Sequence, residues 1–153
     1  MRRTDKEITD KKQIEVILQK AITCRIAMCE DNIPYVVPVN YGYKDDCLFF
    51  HSAKEGKKID IIKKNNNVCF EIDIENELVK AEIICNWGCR YYSVIGSGKA
   101  YLLESLEEKR IGLDIISSHY TGQFRHQMPN DAIGRIEVLK IEIESMSGKK
   151  SGY

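Results

Sequence analysis

Arg90-Tyr91-Tyr92-Ser93-Val94-Ile95-Gly96-Ser97-Gly98-Lys99-Ala100-Tyr101-Leu102-Leu103 reads as one long β-strand with a pair of glycines at its middle. β-branched and aromatic residues suit a pleated, half-buried surface. Glycine inside such a run marks a bulge or a sharp bend. A long strand that bends there lets its sheet curl, so the segment predicts a barrel rather than a flat layer. The glycines are not a dinucleotide fingerprint, because neither a third glycine nor a helix follows them.

Upstream of this strand, Val68-Cys69-Phe70-Glu71-Ile72-Asp73-Ile74 alternates, with Val68, Phe70, Ile72 and Ile74 on one face. Further back, the alternating run from Cys24 to Cys29 and the run from Ile33 to Tyr41 flank Asp31-Asn32, the chemistry of a β-hairpin turn. Pro38 has no N–H for a ladder, so its strand needs an edge, a bulge or a ligand at that point. Lys44-Asp45-Asp46 makes the next turn, and Leu48-Phe49-Phe50-His51-Ser52 the third strand. Downstream, the run from Arg135 to Glu144 is the last strand, and its apolar phase slips between Val138 and Leu139, which predicts a bulge.

Three helices fit between these strands. One starts at Asp10 with Gln13 as capping-box partner and aligns Ile14, Ile17, Leu18 and Ala21. A second runs from about Glu55 to Lys64 with Ile59 and Ile62 inward and is stopped by Asn65-Asn66-Asn67. A third opens with the pair Ser105 and Glu108, passes through Ile111, Ile115 and Ile116, and ends near Thr121-Gly122. No repeat, low-complexity tract or linker divides residues 1–153. The expectation is a single, mainly β domain: a small barrel of six or so antiparallel strands with about three helices.

Twenty-three basic and 23 acidic residues cancel to a formal net charge of zero, which argues against a nucleic-acid partner or an anionic membrane surface. No apolar run nears the length of a membrane span and the start Met1-Arg2-Arg3-Thr4-Asp5-Lys6 has no apolar leader, so a cytoplasmic protein is expected. The six cysteines are then expected as reduced thiols. Only Cys85 and Cys89 are closely spaced, and neither Cys24/Cys29 nor His119/His126 completes a zinc set, so no metal is expected.

Charge is uneven locally. Residues 54–64 carry a net +3 and residues 71–82 a net −4. In His51-Ser52-Ala53-Lys54-Glu55-Gly56-Lys57-Lys58 a strand end passes into a helix start, gathering imidazole, hydroxyl and ammonium groups where helix N–H groups are unpaired. Lysines oppose the positive end of the helix dipole, so Lys57 and Lys58 in a first turn point to a bound anion such as a phosphate. The other reading is a lysine-rich helix face in water. His51, beside Phe49 and Phe50, is either a packed strand histidine or a functional one. Trp87-Gly88-Cys89-Arg90-Tyr91-Tyr92-Ser93 suits stacking on a planar ring with an anionic group, or a subunit interface, or both.

Three stretches together resemble the pyridoxamine 5'-phosphate oxidase-like superfamily, and within it the nitroimidazole-resistance (Nim) branch. They are Val36 through Tyr43, Leu48 through Asp60, and Trp87 through Gly96. The opening, Met1-Arg2-Arg3 to Ile8-Thr9-Asp10, and the close, Ile143 to Gly152, fit as well. The resemblance implies a split β-barrel homodimer with FMN at the subunit interface. By position, Lys57 and Lys58 would take the FMN phosphate, with His51, Ser52 and Ala53 beside it or the ribityl chain, and Val37, Pro38, Val39 and Asn40 along the isoalloxazine edge. Trp87, Arg90, Tyr91 and Ser93 would approach from the partner subunit. In the Nim branch the histidine at the His51 position lies near the substrate, which makes His51 the catalytic candidate.

The resemblance thus implies an FMN-dependent oxidoreductase moving electrons from a reduced nicotinamide to a small planar acceptor such as a nitroaromatic. The alternative within the superfamily is a non-enzymatic flavin- or haem-binding barrel for storage, sensing or delivery. Oxidation of vitamin B6 is not expected, because Ser147-Gly148-Lys149-Lys150-Ser151-Gly152-Tyr153 lacks the Arg-Leu type ending of the oxidases. Two lysines also replace their Arg-Lys pair, keeping charge but losing the bidentate fork.

Overall fold

In chain order, the computed structural model places β1 (Glu7–Ile8), α1 (Lys11–Lys20), β2 (Cys24–Glu30), β3 (Ile33–Val39), β4 (Tyr41–Lys44), β5 (Cys47–Ala53) and α2 (Lys57–Lys64). There follow β6 (Asn67–Val79), β7 (Gly88–Leu102), α3 (Leu106–Thr121), α4 (Asn130–Ile133) and β8 (Ile136–Ser151). Residues 3–153 are described; Met1 and Arg2 of the opening stretch lie outside the described residues. The expected six strands are the long ones, joined by the two-residue β1 and four-residue β4. The three expected helices are α1, α2 and α3, with α4 a single extra turn.

The strands form one antiparallel sheet in the order β3-β2-β6-β7-β8-β5-β4, with β1 added to the end of β8. Its outermost strands, β3 and β4, are joined by Asn40 alone. Flat, the sheet would hold those edges roughly 29 Å apart, at about 4.8 Å per strand. Val39 and Tyr41 are two Cα steps apart, about 7 Å at most. The sheet must therefore curl until its edges meet at Asn40. Beyond that point β3 pairs with β2 and β4 with β5, and among the described residues no ladder joins the edges, so the barrel is split.

The glycine pair permits the curl. A side chain at Gly98 would collide with the carbonyl oxygen of Glu142, and one at Gly96 with the ring of Phe70. Opposite them, the β7–β8 register passes from Ser97↔Ser145 to Gly98↔Ile143, leaving Glu144 as the extra residue of a bulge. The bulge predicted between Val138 and Leu139 is not there: His51↔Val138 and Phe50↔Leu139 pair without a shift. The phase slips because both faces of β8 are covered. Leu139 faces the barrel core with Phe50, Phe70 and Ile141, and Val138 lies under α3 with Phe49, Ile115 and Ile116.

Local chemistry explains most element ends. Asp31 and Asn32 take φ of 49° and 63°, the type I′ turn of a two-residue hairpin. The run from Ile33 to Tyr41 is two strands rather than one, because the chain changes partner at Asn40. Pro34 and Pro38 fall on edge strand β3, where a missing donor is tolerated. Asp10 caps α1 by accepting from the Lys12 amide at 3.0 Å, without the return bond expected of Gln13, which is exposed. The α3 capping box forms as expected from Ser105 and Glu108. Ile111, expected inward, is exposed, because α3 faces the sheet through Lys109, Gly112, Ile115 and Ile116.

Candidate anion and ring site

Tyr41 opposite Phe50 is the last pair of the β4–β5 ladder, so β5 continues through His51, Ser52 and Ala53 toward α2 paired on one side only, with β8. Gly56 ends this link with φ 137°, a backbone region that L side chains rarely adopt, and α2 begins at Lys57. No side chain caps the helix. The Ile59 and Asp60 amides bond back to the Gly56 carbonyl at 2.9 and 3.2 Å, so the open positions of the first turn belong to Lys57 and Lys58. The Lys57 ammonium lies 4.8 Å from the centre of the Tyr35 ring, which brings the start of α2 against β3. Among the described residues, Lys54, Lys57 and Lys58 have no acidic partner, whereas Lys64 at the other end of α2 holds Glu30 at 2.5 Å.

Ser52 is 5% exposed, and among the described residues its Oγ is the one buried side-chain polar atom without a hydrogen bond. An unmade hydrogen bond of this kind costs about 1–3 kcal/mol. His51 and Ala53, on the opposite face of the strand, are exposed. His51 is thus an accessible imidazole rather than a packed one. Val37 and Val39 turn toward the barrel core while Pro38 and Asn40 are exposed. What β3 offers a ligand is its free backbone edge more than its side chains. The Asn40 amide donates to Ile22 O at 3.3 Å, so this side chain holds the seam.

The remaining expected residues lie elsewhere in the chain, at the β6–β7 arm. Trp87 Nε1 donates to Ala81 O at 2.9 Å, and Arg90 sits 3.6 Å from Glu77 with the Tyr153 ring at 5.8 Å. Lys149 lies over Tyr91 at 5.2 Å, and Ser93 is buried between Asp73 and Lys149. Among the described residues, no hydrogen bond, ion pair or ring contact joins these groups to Ser52, Lys57 or Lys58 within one chain. The arm also exposes Leu78, Ile83 and Ile84. A cavity of about 420 Å³ under α1, lined by Ile8, Lys12, Val16, Ile74, Tyr92 and Lys150, takes in Tyr92 of the aromatic stretch but none of the residues expected to hold the ligand.

All six cysteines are free thiols. Burial pushes the Cys24 and Cys47 thiols up, away from ionisation. Two features of the site carry no local sequence signal. Lys109 of α3 reaches Glu137 at 2.7 Å, directly across the ladder from Ser52. Tyr120 closes the seam, donating to Ile22 O at 3.0 Å and accepting from the Tyr41 amide at 2.9 Å.

A curled antiparallel sheet that meets itself at one residue and opens beyond it, with a helix start set in the opening, defines a split β-barrel. The chain belongs to the pyridoxamine 5'-phosphate oxidase family, whose pattern it matches over residues 10–150, and within it resembles the Nim-like branch. A candidate 5-nitroimidazole antibiotic resistance protein from Bacteroides thetaiotaomicron is 37% identical; the match covers 94% of this chain and 86% of that one, with a TM-score of 0.84. The fold is shared with the flavocytochrome Anf3 of Azotobacter vinelandii, at 18% identity over 100% and 72% of the two chains and a TM-score of 0.83. A FAD and heme binding protein of Mycobacterium smegmatis also shares it, at 18% identity over 97% and 74% and a TM-score of 0.83. No curated protein matches the chain in sequence. No described helix is long and apolar enough to cross a membrane.

Proposed function

We propose that the chain is an FMN-dependent oxidoreductase that works as a homodimer in the cytoplasm, passing electrons from a reduced nicotinamide to a small planar acceptor of the nitroaromatic class. The observation that carries this reading is the uncapped α2 start, with Lys57 and Lys58 free of acidic partners, next in the chain to the unpartnered buried hydroxyl of Ser52. Amides, ammonium groups and a hydroxyl suit the phosphate end of a flavin mononucleotide. Lys57 and Lys58 hold that group, Ser52 donates beside it, and the free edge of β3 at residues 37–40 lies along the ring. The exposed His51 imidazole is placed to give or take a proton at the acceptor. Trp87, Arg90, Tyr91 and Ser93 belong to the half of the site supplied by a second copy, in keeping with their separation from the α2 start and with the exposed apolar arm that carries Trp87. When bound, the flavin supplies the electron-transfer chemistry, and the protein supplies position and exclusion of water.

The direct test is the visible spectrum of the purified protein, titrated with FMN and then assayed with NADH or NADPH and a nitroimidazole. The expected result is a yellow protein that oxidises the nicotinamide only with the acceptor present. A protein that binds no FMN overturns the reading. One that binds FMN or haem without turnover supports a storage or delivery role instead.

A further inference from the structure

Ser52 keeps its hydroxyl unpartnered although a carboxylate stands across the ladder. The β5–β8 register sets Ser52 opposite Glu137. Opposed residues point to the same face with Cβ atoms about 4.5–5.5 Å apart. Left alone, Glu137 would accept the Ser52 hydroxyl and set a negative charge where an anion is to bind. Neither happens. Glu137 Oε2 accepts from Lys109 Nζ at 2.7 Å, and the same ammonium donates to Ile136 O at 3.2 Å, while Ser52 Oγ has no bond. Lys109 is only 8% exposed and occupies the inward face of α3 that otherwise carries Gly112, Ile115 and Ile116. A buried lysine is costly unless its charge is used.

We propose that Lys109 is a positioning residue for the anionic end of the ligand. It neutralises Glu137 and turns it aside, so that Ser52 stays open to a phosphate monoester seated at the start of α2. This rests on the flavin reading above. It assigns to Lys109 a role that acts through Glu137 rather than through contact with the ligand.

The test compares K109M, E137Q and the double variant K109M/E137Q, with thermal melting on each and binding of FMN and of riboflavin, which has the ring but no phosphate. K109M should weaken FMN about tenfold, the effect of one close unit charge in a half-buried site, and leave riboflavin almost unchanged. E137Q should bind FMN at least as tightly as the wild type. The double variant, with no stranded carboxylate, should fold and regain wild-type preference for FMN over riboflavin, so the test survives a K109M protein that fails to fold. If the double variant folds but keeps a weakened FMN preference, or if K109M weakens both flavins alike, the inference is overturned. Unaltered FMN binding by K109M also overturns it, with the flavin reading intact. A wild type that binds neither flavin overturns both.

Discussion

At the scale of single residues, the site is built from groups that the folded chain leaves unsatisfied. Lys57 and Lys58 stand in a first helical turn, where their charge opposes the dipole; Asp60 shares that turn, but among the described residues neither lysine forms an ion pair. A hydrogen bond to a charged group contributes about 1.5–3 kcal/mol, so replacing both lysines with alanine should weaken FMN binding by about a hundredfold or more. Fluorescence titration of FMN would show it, and unchanged affinity would refute the phosphate assignment. Ser52 predicts effects of opposite sign on two measurements. Ser52→Ala removes an unpaired buried hydroxyl, so the ligand-free protein should gain about 1 kcal/mol of stability, while its affinity for FMN should fall. Denaturant unfolding without ligand and flavin titration together check the pair. A loss of stability without ligand would mean that Ser52 supports the fold rather than the ligand.

Among the elements, α3 covers one face of the sheet and supplies Lys109, so its ends matter to the site. Ser105 accepts from the Glu108 amide, and the Glu108 carboxylate accepts from the Ser105 amide and hydroxyl. Those bonds hold the Glu108 carboxyl below its ordinary value, the Ser105 amide being the larger cause. Ser105→Ala should cost about 1 kcal/mol, a fall in Tm of about 2–4 °C for a chain of this size. The sign with pH follows from the lowered value. The Glu108 half of the box contributes fully above the ordinary carboxylate pKa of about 4.3 and is lost as pH falls through the folded value. Melting curves of parent and S105A should therefore draw together in acid, and a constant gap would place the stabilisation elsewhere. This box and the Asp31-Asn32 turn were legible in the sequence because each is decided within a few residues. Helix α2 was legible as an element, but the sequence starts it at about Glu55, whereas Gly56, with a φ of 137°, holds the helix back to Lys57. The break at Asn40 was not, because alternation continues through it and only the curl of the sheet decides which strand each side meets. The slip at Val138 and Leu139 was visible but ambiguous, since a bulge and burial on both faces produce the same pattern. Lys57, Lys58 and Ser52 were legible as a local cluster. Lys109 and Glu137 were not, being 28 residues apart and joined only by the packing of α3 against β8.

The whole molecule depends on one closure, and the closure adjoins the site. The sheet meets itself at Asn40, where β3 passes into β4 and where β5 parts from β4 and, still paired with β8, runs toward the start of α2. Three parts of the chain are tied there: the loop before β2 through Ile22 O, the start of β4 through the Tyr41 amide, and the end of α3 through Tyr120. His119 adds a bond to Ala21 O at 2.7 Å and packs its ring 4.7 Å from that of Tyr41. Tyr120→Phe keeps the ring and removes the hydroxyl, so the half-buried Tyr41 amide loses its acceptor. The expected cost is about 1–3 kcal/mol, a fall in Tm of several degrees, about 2–4 °C per kcal/mol. A merely local bond would stop there. If the closure sets the spacing between β3 and the start of α2, Tyr120→Phe should also loosen FMN, although Tyr120 is none of the residues assigned to the ligand. It should weaken riboflavin by the same factor, because the spacing along the ring rather than the phosphate contacts would change. Binding of both flavins well below the melting temperature decides it: equal weakening makes the closure part of the site, and affinities equal to those of the wild type confine Tyr120 to holding the barrel shut.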